Sequence, residues 1–463
     1  MRNIIDDDKI QSLIHRNENP SPDRVEEVLN KALNLKGLDL EETAVLINIS
    51  DREGLEKLFL TANKVKNQIY GKRLVLFAPL YVSNYCSNNC LYCGFRSKNR
   101  HISRTKLGFD QIEEETVSIL EQGHKRVLLL MGEDNRKNDI DYLENAINTV
   151  YKARDSKNSS IRRINLEIAP LPDQDLRRIS KMEIGTYTVF QETYHRETYN
   201  IVHESGHKAD YDHRLDVMDR ALGNGLHDIG IGALFGLYDY RYEVLGLLSH
   251  AKHLDEKFGV GPHTISIPRI KPASDAPASL NLKHEVSDTD FKKLIAVLRC
   301  SVPYTGMILS TREPAELRSE IFNLGVSQIS AGSKTNPGGY KQAASEMSGG
   351  QFTLNDCRTS GEVIEDVIRQ GFIPSFCTAC YRLGRVGKDF MDLAKPGLIK
   401  THCQPNGLCT LKEYLEDYAD EKTKEIGHTL INKELQKIPH NGVRKKTIDN
   451  LDKISEGKRD LYF

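Results

Sequence analysis

Apolar residues in the first 70 positions recur at intervals of three and four, which is typical of amphipathic helices. The clearest set is Val25, Val28, Leu29, Ala32 and Leu33. A second set follows at Leu55, Leu58, Phe59 and Ala62. We therefore expect residues 1–72 to form a helical extension that covers another part of the protein.

From residue 73 onward, short apolar runs rich in β-branched residues alternate with helical segments. Eight runs predict strands, at residues 73–82, 124–132, 162–171, 185–194, 228–237, 263–270, 304–311 and 326–333. Their nearly continuous hydrophobicity suits parallel strands that are buried on both faces. Eight successive β/α units predict an α/β protein with a (β/α)8 barrel of the TIM type over residues 73–365. A doubly wound open sheet is the alternative.

The strand pattern stops after residue 370. Residues 411–463 are strongly charged and have a helical pattern. We therefore expect residues 366–463 to form a mainly helical C-terminal domain.

The charges of the chain nearly cancel, with 64 Lys and Arg against 65 Asp and Glu. This balance lacks the basic surface that nucleic-acid binding requires. No apolar run approaches the roughly 20 residues of a membrane span, and acidic residues occupy the N-terminal positions where a signal peptide has its apolar core. We expect a cytoplasmic protein that binds neither nucleic acid nor membrane. We do not expect its nine cysteines to form a disulfide framework, and we expect the clustered ones to hold metal or to serve redox chemistry.

Three of these cysteines, Cys86, Cys90 and Cys93, lie in the stretch YCSNNCLYCGFR, directly after the first predicted strand. In a (β/α)8 barrel the loops after the strands carry the reactive groups. The spacing C-x3-C-x2-C lets one loop give a thiolate to each of three irons of a [4Fe–4S] cluster, leaving the fourth iron open. A structural zinc site is the alternative, but it needs a fourth ligand and only His101 is within range.

A second group consists of Cys377, Cys380 and Cys403, with the spacing C-x2-C-x22-C. Because no convincing fourth ligand follows, this group also favours an iron–sulfur cluster with one open iron. Structural zinc with His402 as the fourth ligand is the alternative. The remaining cysteines have no assigned role: Cys300, Cys357 and Cys409.

The stretch CSNNCLYC resembles the signature of the radical S-adenosylmethionine (SAM) superfamily. In that family SAM chelates the open iron, and one electron from the cluster cleaves SAM to methionine and a 5′-deoxyadenosyl radical. The resemblance implies that the first cysteine group holds the catalytic cluster and that Tyr92 flanks the adenine of SAM.

The same resemblance implies a glycine-rich SAM-binding edge after the second strand. Met131, Gly132 and Glu133 stand at that position. Glu167 and Glu192, at the ends of strands three and four, are candidate hydrogen-bond partners for SAM. For both glutamates, an ion pair that lines the barrel is the alternative.

Both cysteine groups, together with the segments LEIAPL, QETYHRETY, PHTISIPRIKPA, LSTREPAELR and SAGSKTNPGGY, resemble the HydG family of [FeFe]-hydrogenase maturases. The family consists of radical SAM tyrosine lyases. The resemblance implies cleavage of tyrosine to p-cresol and dehydroglycine, which proceeds to carbon monoxide and cyanide. A labile iron on the second cluster would collect both for assembly of the hydrogenase active site.

The partners implied by this resemblance are tyrosine, SAM, an electron donor such as ferredoxin or flavodoxin, and hydrogenase maturation scaffold proteins. One alternative is the thiamine-pathway tyrosine lyase, or 2-iminoacetate synthase, which shares the barrel and the first cluster but lacks the C-terminal cysteines. The other is a noncatalytic iron–sulfur scaffold or carrier.

The implied activity needs further groups at both mouths of the barrel. Arg269 and Arg312 are candidates to bind the tyrosine carboxylate, with Ser310 and Thr311 completing the pocket; structural ion pairs are the alternative for both arginines. His263 begins strand six and is expected to bind the labile iron at the opposite mouth. We also expect an internal tunnel, lined by small and polar side chains, between the two mouths.

Overall fold

The computed structural model of the protein describes residues 4–341 and 350–463. Within residues 4–72 it contains four helices, α1 (Asp7–Arg16), α2 (Pro22–Ala32), α3 (Leu40–Ile47) and α4 (Arg52–Ile69). Each follows a Ser or Asp cap whose side chain accepts a backbone hydrogen bond; in α2 this is Ser21, followed by proline in the first turn. Val25, Val28 and Leu29 are buried, which confirms the predicted helical extension.

The barrel itself is a closed ring of parallel strands. These strands are β1 (Arg73–Ser83), β2 (Arg126–Met131), β3 (Arg163–Glu167), β4 (Tyr187–Thr188), β5 (Ile229–Gly232), β6 (Thr264–Ser266), β7 (Gly306–Leu309) and β8 (Gln328–Ser330). β1 closes the ring because it pairs with β2, where Tyr81 is opposite Leu130, and with β8, where Leu76 is opposite Ile329. The predicted (β/α)8 barrel is confirmed, and the open sheet is wrong.

Helices surround this barrel. They are α5 (Phe109–Glu121), α6 (Ile140–Lys152), α7 (Asp173–Ile179), α8 (Arg196–Val202), α9 (Tyr211–Leu215), α10 (Val217–Gly223), α11 (Tyr240–Phe258), α12 (Asp288–Ser301), α13 (Ala315–Ile321) and α14 (Ser360–Arg369). The N-terminal helices cover α11 and α12; the hydroxyls of Thr43 and Ser301 lie 2.8 Å apart at this contact. No helix in the described part of the chain has both the length and the apolar character needed to cross a membrane.

The C-terminal region begins with a strand that the sequence did not predict. This strand, β9 (Ile373–Ser375), pairs in parallel with the first part of β1, where Leu74 lies opposite Pro374. The helices that follow are α15 (Ala379–Arg382), α16 (Gly387–Ala394), α17 (Lys400–Asp417), α18 (Glu421–Leu435) and α19 (Asn441–Ser455). The region is mainly helical, as predicted, although the strand pattern extends past residue 370 and the predicted domain boundary after residue 365 falls within α14.

We call the carboxyl ends of the barrel strands the upper mouth and the amino ends the lower mouth. Since β9 is level with Arg73–Val75, it carries the chain to the lower mouth. Alternate strand residues face the barrel interior. Many interior positions are small or polar: Thr186, Thr188, Gly230, Gly232, Thr264, Ser266, Gly306, Gln328 and Ser330.

Candidate active sites at the two mouths of the barrel

The loop after β1 brings the first cysteine group, Cys86, Cys90 and Cys93, to the upper mouth. The backbone N–H of Leu91, between the last two cysteines, donates to the carbonyl of Val202 at 2.9 Å and fixes the loop. All three cysteines line one cavity, which we call the upper cavity. The three thiols therefore face a common space, as ligands of one cluster must.

Burial controls the protonation of these thiols. Burial, followed by the nearby Glu133 and Cys93, raises the pKa of Cys86 to about 12. Burial also raises the pKa of Cys90 and of Cys93. Free thiols here would be protonated at neutral pH, whereas binding to iron removes the proton. The chemistry of this donor set fits a metal cluster better than an exposed reactive thiol.

The predicted SAM-binding edge also lines the upper cavity, since Met131, Gly132 and Glu133 are among its lining residues. The N–H of Gly132 donates to the carbonyl of Ser83 at 2.9 Å, and a Cβ on Gly132 would lie 2.3 Å from the carbonyl oxygen of Tyr85. Only glycine permits this close approach of two backbone segments. The result is a narrow backbone edge beside the thiols, which fits the amino-acid end of SAM.

Substituting this glycine tests the edge. We expect Gly132→Ala to lower the rate of SAM cleavage at least about 100-fold, because the added methyl group forces the β2 end away from the cysteine loop. The measurement is 5′-deoxyadenosine formation by reconstituted protein. Gly223→Ala, on α10 with open space around the new Cβ, is the control and should match the wild type. A fully active Gly132→Ala protein would contradict this assignment.

A network of opposite charges lines the upper cavity. Glu133 Oε1 accepts from Arg214 Nη1 at 2.9 Å, and Glu192 Oε1 accepts from Lys208 Nζ at 2.6 Å. Burial alone would raise the pKa of Glu133, but Arg214 and Lys208 hold it below its usual value. Glu192 therefore forms an ion pair that lines the barrel, which was the alternative to its predicted role in SAM binding. Sequence reasoning missed Lys208 and Arg214, which follow β4 and reach the cavity only through the fold.

Glu167, the last residue of β3, differs from these two glutamates. Within the described chain it forms no ion pair, and it lines both the upper cavity and a neighbouring cavity. Burial, followed by repulsion from Glu192, raises its pKa to about 7. A carboxyl group with this pKa can both give and accept a proton at neutral pH.

The raised pKa of Glu167 makes stability depend on pH. Its pKa is about 7 in the folded protein and near 4.5 when unperturbed, so the folded state binds the extra proton between these values. The stabilisation is complete below about pH 4.5 and is lost as the pH rises through 7. We expect the unfolding free energy of SAM-free protein to fall by about 3 kcal/mol over this window because of this group.

Chemical unfolding of Glu167→Gln at several pH values provides the measurement. The variant should show a smaller decrease in unfolding free energy between about pH 5 and pH 8 than the wild type. Glu197→Gln, at an exposed position on α8, should follow the wild-type curve. Parallel curves for wild type and Glu167→Gln would rule out this protonation.

The neighbouring cavity lies within the upper half of the barrel, and we call it the central cavity. It shares five lining residues with the upper cavity: Tyr81, Leu130, Glu167, Phe190 and Gln351. Three of the four residues predicted to bind substrate also line it: Ser310, Thr311 and Arg312. A molecule in the central cavity would therefore lie directly beside a molecule bound at the cysteine group.

Arg312 supplies the positive charge of the central cavity. Its guanidinium carbon lies 3.3 Å from the centroid of the Phe352 ring, and no described carboxylate forms an ion pair with it. Burial lowers its pKa, while Tyr81, Glu192 and Glu167 act in the opposite direction. Arginine stays charged even in such a site. Its donors therefore remain available for the carboxylate of a ligand.

Arg269 does not share this environment, so its predicted role in substrate binding needs correction. Its Nε donates to Glu313 Oε1 at 3.1 Å, and its Nη1 lies 2.8 Å from Asp288 Oδ1 and donates to the carbonyl of Val286 at 2.9 Å. It does not line the central cavity. Arg269 therefore forms a structural ion pair, which was the alternative interpretation of this residue.

Tyr92 also does not lie where the resemblance to the radical SAM superfamily places it, beside the adenine of SAM. Its hydroxyl lies 2.8 Å from His203 Nε2, and its ring packs in an apolar cluster with Val202, Leu234 and Leu237. It is not part of the upper cavity lining. This orientation does not support contact between Tyr92 and an adenine ring.

The second cysteine group, Cys377, Cys380 and Cys403, lies at the lower mouth. Cys377 follows β9, Cys380 lies on α15, and Cys403 lies on α17. Burial raises the pKa of Cys403 to about 12. The nearby Cys380 and Cys377 also raise this pKa, whereas Arg73 lowers it. Because α17 packs against β9, Cys403 lies on the same side of the barrel as Cys377 and Cys380. In the described residues, no three His, Cys, Asp or Glu side chains are arranged to hold a single metal ion.

The other cysteines lie elsewhere in the fold. Cys300 is buried on α12, and Cys357 is exposed in the segment before α14. Cys409 shares α17 with Cys403, and burial raises its pKa to about 12. None of the three lines the upper or the central cavity.

His263 lies at the lower mouth, directly before β6, as its predicted role requires. Its Nε2 is 3.0 Å from the hydroxyl of Tyr381, the residue next to Cys380. Its Nδ1 is 3.5 Å from Asp228 Oδ1. The structure therefore brings His263 close to the second cysteine group, with an imidazole already oriented by a hydroxyl and a carboxylate.

The barrel interior between the mouths combines small and polar positions with large apolar ones, since Phe77 and Leu128 line the central cavity. A Cβ on Gly230 would lie 2.5 Å from Thr188 Oγ1 and 2.6 Å from Thr264 Oγ1. The two threonine hydroxyls therefore leave no room for a side chain at position 230. A continuous tunnel stays a prediction.

Comparison with known proteins agrees with this arrangement. The radical SAM superfamily model matches residues 80–247, and the Biotin and Thiamin Synthesis associated domain matches residues 266–373. The 2-iminoacetate synthase of Escherichia coli (strain K12) is 31% identical over 363 residues, which covers 78% of this chain and 92% of that protein.

Two solved structures extend the likeness through the C-terminal region. HydG, a maturase of the [FeFe]-hydrogenase, is 48% identical with a TM-score of 0.96 and covers 100% of both chains. HydG from Carboxydothermus hydrogenoformans is 40% identical with a TM-score of 0.83, covering 96% of this chain and 97% of that one. The chain belongs to the radical SAM superfamily and, within it, to the HydG family of [FeFe]-hydrogenase maturases.

Proposed function

We propose that the protein is a radical SAM lyase that cleaves tyrosine between Cα and Cβ, giving p-cresol and dehydroglycine. Dehydroglycine then yields carbon monoxide and cyanide at a second iron–sulfur cluster. The observation that supports this most directly is the placement of two cysteine trios at opposite mouths of one barrel. The likeness to HydG over the whole chain agrees with it.

At the upper mouth the first cysteine group would hold a [4Fe–4S] cluster, and the Gly132 edge would hold SAM. Together these cofactors would supply a 5′-deoxyadenosyl radical that removes a hydrogen atom from the tyrosine amino group. Arg312 would bind the tyrosine carboxylate through two hydrogen bonds, with Ser310 and Thr311 beside it. Glu167, between the two cavities, would hold or release a proton near the reacting groups.

At the lower mouth the second cysteine group would hold the second cluster. His263 would bind a labile iron through Nε2, which would leave its contact with the Tyr381 hydroxyl, and Asp228 would orient the imidazole through Nδ1. Carbon monoxide and cyanide would be collected on this iron. The small and polar positions of the barrel interior would let dehydroglycine pass from one mouth to the other. The iron-bound product would then pass to hydrogenase maturation scaffold proteins.

The reaction also needs an electron donor, which we propose is a ferredoxin or a flavodoxin. We place the protein in the cytoplasm, where the reducing environment keeps cysteine ligands free of disulfides. Membrane and nucleic acid have no part in this proposal.

Anaerobic incubation with SAM, dithionite and tyrosine tests the proposed function. We expect 5′-deoxyadenosine and p-cresol to form together, followed by carbon monoxide. A noncatalytic iron–sulfur scaffold would form neither of the first two products, and their absence would refute the proposal.

The second candidate function is that of a 2-iminoacetate synthase, which the 31% identical relative favours. Such an enzyme would form p-cresol without carbon monoxide or cyanide. The second cysteine group favours the first candidate, because an amino-acid fragment that is simply released needs no second cluster. Measuring carbon monoxide and p-cresol in the same reaction separates the two.

A further inference from the structure

The connection between β1 and α5 carries charge of one sign. Residues 84–108 contain five Lys and Arg and no Asp or Glu. In the whole chain 64 Lys and Arg stand against 65 Asp and Glu, so this excess of positive charge is local. The same connection holds the first cysteine group. Positive charge is therefore concentrated at the upper mouth, beside the place proposed for the first cluster.

Two of these five cations have partners within the protein. Arg96 is buried, and its Nε donates to Asn89 Oδ1 at 2.8 Å. Lys98 Nζ lies 3.1 Å from Glu204 Oε2, with which it forms an ion pair. These two residues therefore fix the loop and add little to its outer charge.

Arg104 holds both ends of the cysteine loop and keeps its charge. Its Nη1 donates to the carbonyls of Asn84 and Phe95 at 2.7 and 2.8 Å. These two residues lie two positions before Cys86 and two positions after Cys93. All four side-chain hydrogen bonds of Arg104 in the described chain go to backbone carbonyls. Carbonyls satisfy its donors but do not neutralise the guanidinium, which stays charged.

Arg100, Lys106 and Lys137 extend this positive charge onto the surface. All three side chains are exposed. Lys106 Nζ donates to the carbonyl of Lys137, which follows β2. Lys137 Nζ lies 5.6 Å from the centroid of the Tyr85 ring, and Tyr85 directly precedes Cys86. We call Arg100, Arg104, Lys106 and Lys137 the basic rim, and it reaches the residue next to the first cysteine.

The nearby aspartates of the loop after β2 are already engaged. Asp134 Oδ1 lies 3.9 Å from Arg136 Nε, and Asp139 Oδ1 accepts the backbone N–H of Tyr142 at 2.8 Å as the N-cap of α6. Within the described residues, the ion pairs around the basic rim are those of Lys98 with Glu204 and of Arg136 with Asp134. The four rim cations are therefore not balanced by carboxylates of the described chain.

We propose that the basic rim is the docking surface for an acidic one-electron carrier protein. None of its four residues lines the upper or the central cavity, so this charge does not bind a ligand there. Complementary charge attracts an acidic partner and orients it. Docking here places the redox group of the partner beside the loop that would hold the first cluster. One electron would leave the carrier and reduce this cluster, with no bond formed or broken. The need for that electron rests on the proposed function.

An acidic flavodoxin and an acidic ferredoxin are the probes, and their binding to SAM-free holoprotein is measured by calorimetry at low salt. We expect Arg100→Gln/Lys106→Gln/Lys137→Gln to raise the Kd of the carrier at least about 10-fold, because three exposed charge contacts are lost. The matched control, with the same change in net charge, replaces exposed lysines on α4, α18 and α19: Lys64→Gln/Lys433→Gln/Lys445→Gln. It should bind the carrier like the wild type. Equal Kd values in all three proteins, or no binding of either carrier to the wild type, would overturn the proposal.

Rates of SAM cleavage separate docking from an effect on the cluster. With the reduced carrier as electron source, the rim variant should form 5′-deoxyadenosine at least about 10-fold more slowly than the wild type, and added salt should reduce the difference. With excess dithionite, which needs no protein docking, the two proteins should react at equal rates. An equal loss with both reductants would overturn the proposal. Carrier binding at the rim without p-cresol refutes only the lyase, and p-cresol formed with dithionite without carrier binding refutes only the docking surface.

Discussion

Replacing Cys377 and Cys380 together with alanine is expected to lower carbon monoxide formation at least about 100-fold while p-cresol formation stays within about twofold of the wild type. The reason is distance. The 11 residues of β1 separate the two mouths by about 30 Å, so loss of the lower thiols leaves the upper cavity intact. The measurement is simultaneous quantification of p-cresol and carbon monoxide in one anaerobic reaction.

The control for this variant is Cys409→Ala, which removes a buried cysteine from the same C-terminal region. It should produce both products at wild-type rates, because the proposed ligands of the second cluster are Cys377, Cys380 and Cys403, and Cys409 is not one of them. Equal loss of p-cresol and carbon monoxide in Cys377→Ala/Cys380→Ala would show that the two mouths do not act separately. That result would contradict the proposal that tyrosine is cleaved at the upper mouth and carbon monoxide is formed at the lower mouth.

Replacing Arg312 with methionine is expected to lower kcat/KM for tyrosine by about 100- to 1,000-fold. The guanidinium lies in the central cavity without a protein carboxylate, so a bound tyrosine carboxylate would lose its paired charge. Removal of one member of a buried charge pair costs about 2–5 kcal/mol, and the expected loss, about 2.8–4.2 kcal/mol, lies within this range. Steady-state p-cresol formation at varied tyrosine concentration provides the measurement.

Two further variants make the result specific. Arg312→Lys keeps the charge but loses the two-pronged geometry, and it should fall between the wild type and Arg312→Met. Arg177→Gln removes an exposed arginine and should leave kcat/KM unchanged. If Arg312→Met retained the wild-type KM and kcat for tyrosine, the central cavity would not be the tyrosine site.

The barrel could be predicted from the sequence because its parallel strands are buried on both faces and read as short apolar runs. β9 could not be predicted in the same way. It has three residues, and Pro374 lacks the N–H that a central strand would donate. It forms nonetheless because it pairs at one edge of β1, below the start of β2. This small strand is what delivers the second cysteine group to the lower mouth.

The candidate site could be predicted where local spacing carries the chemistry, as in the two cysteine groups and the glycine at position 132. Roles that depend on distant partners could not. Arg269 and Arg312 both follow barrel strands, yet Glu313, the sequence neighbour of Arg312, turns its carboxylate to Arg269.

The most direct test is electron paramagnetic resonance of reduced, oxygen-free protein with and without SAM, combined with iron and zinc analysis. If each cysteine trio holds a [4Fe–4S] cluster with an open iron, we expect roughly eight cluster irons per chain and little zinc. SAM should then change the signal of one cluster, and that change should persist in Cys377→Ala/Cys380→Ala but disappear in Cys86→Ala. Stoichiometric zinc, or a cluster signal that SAM leaves unchanged, would contradict the proposed chemistry.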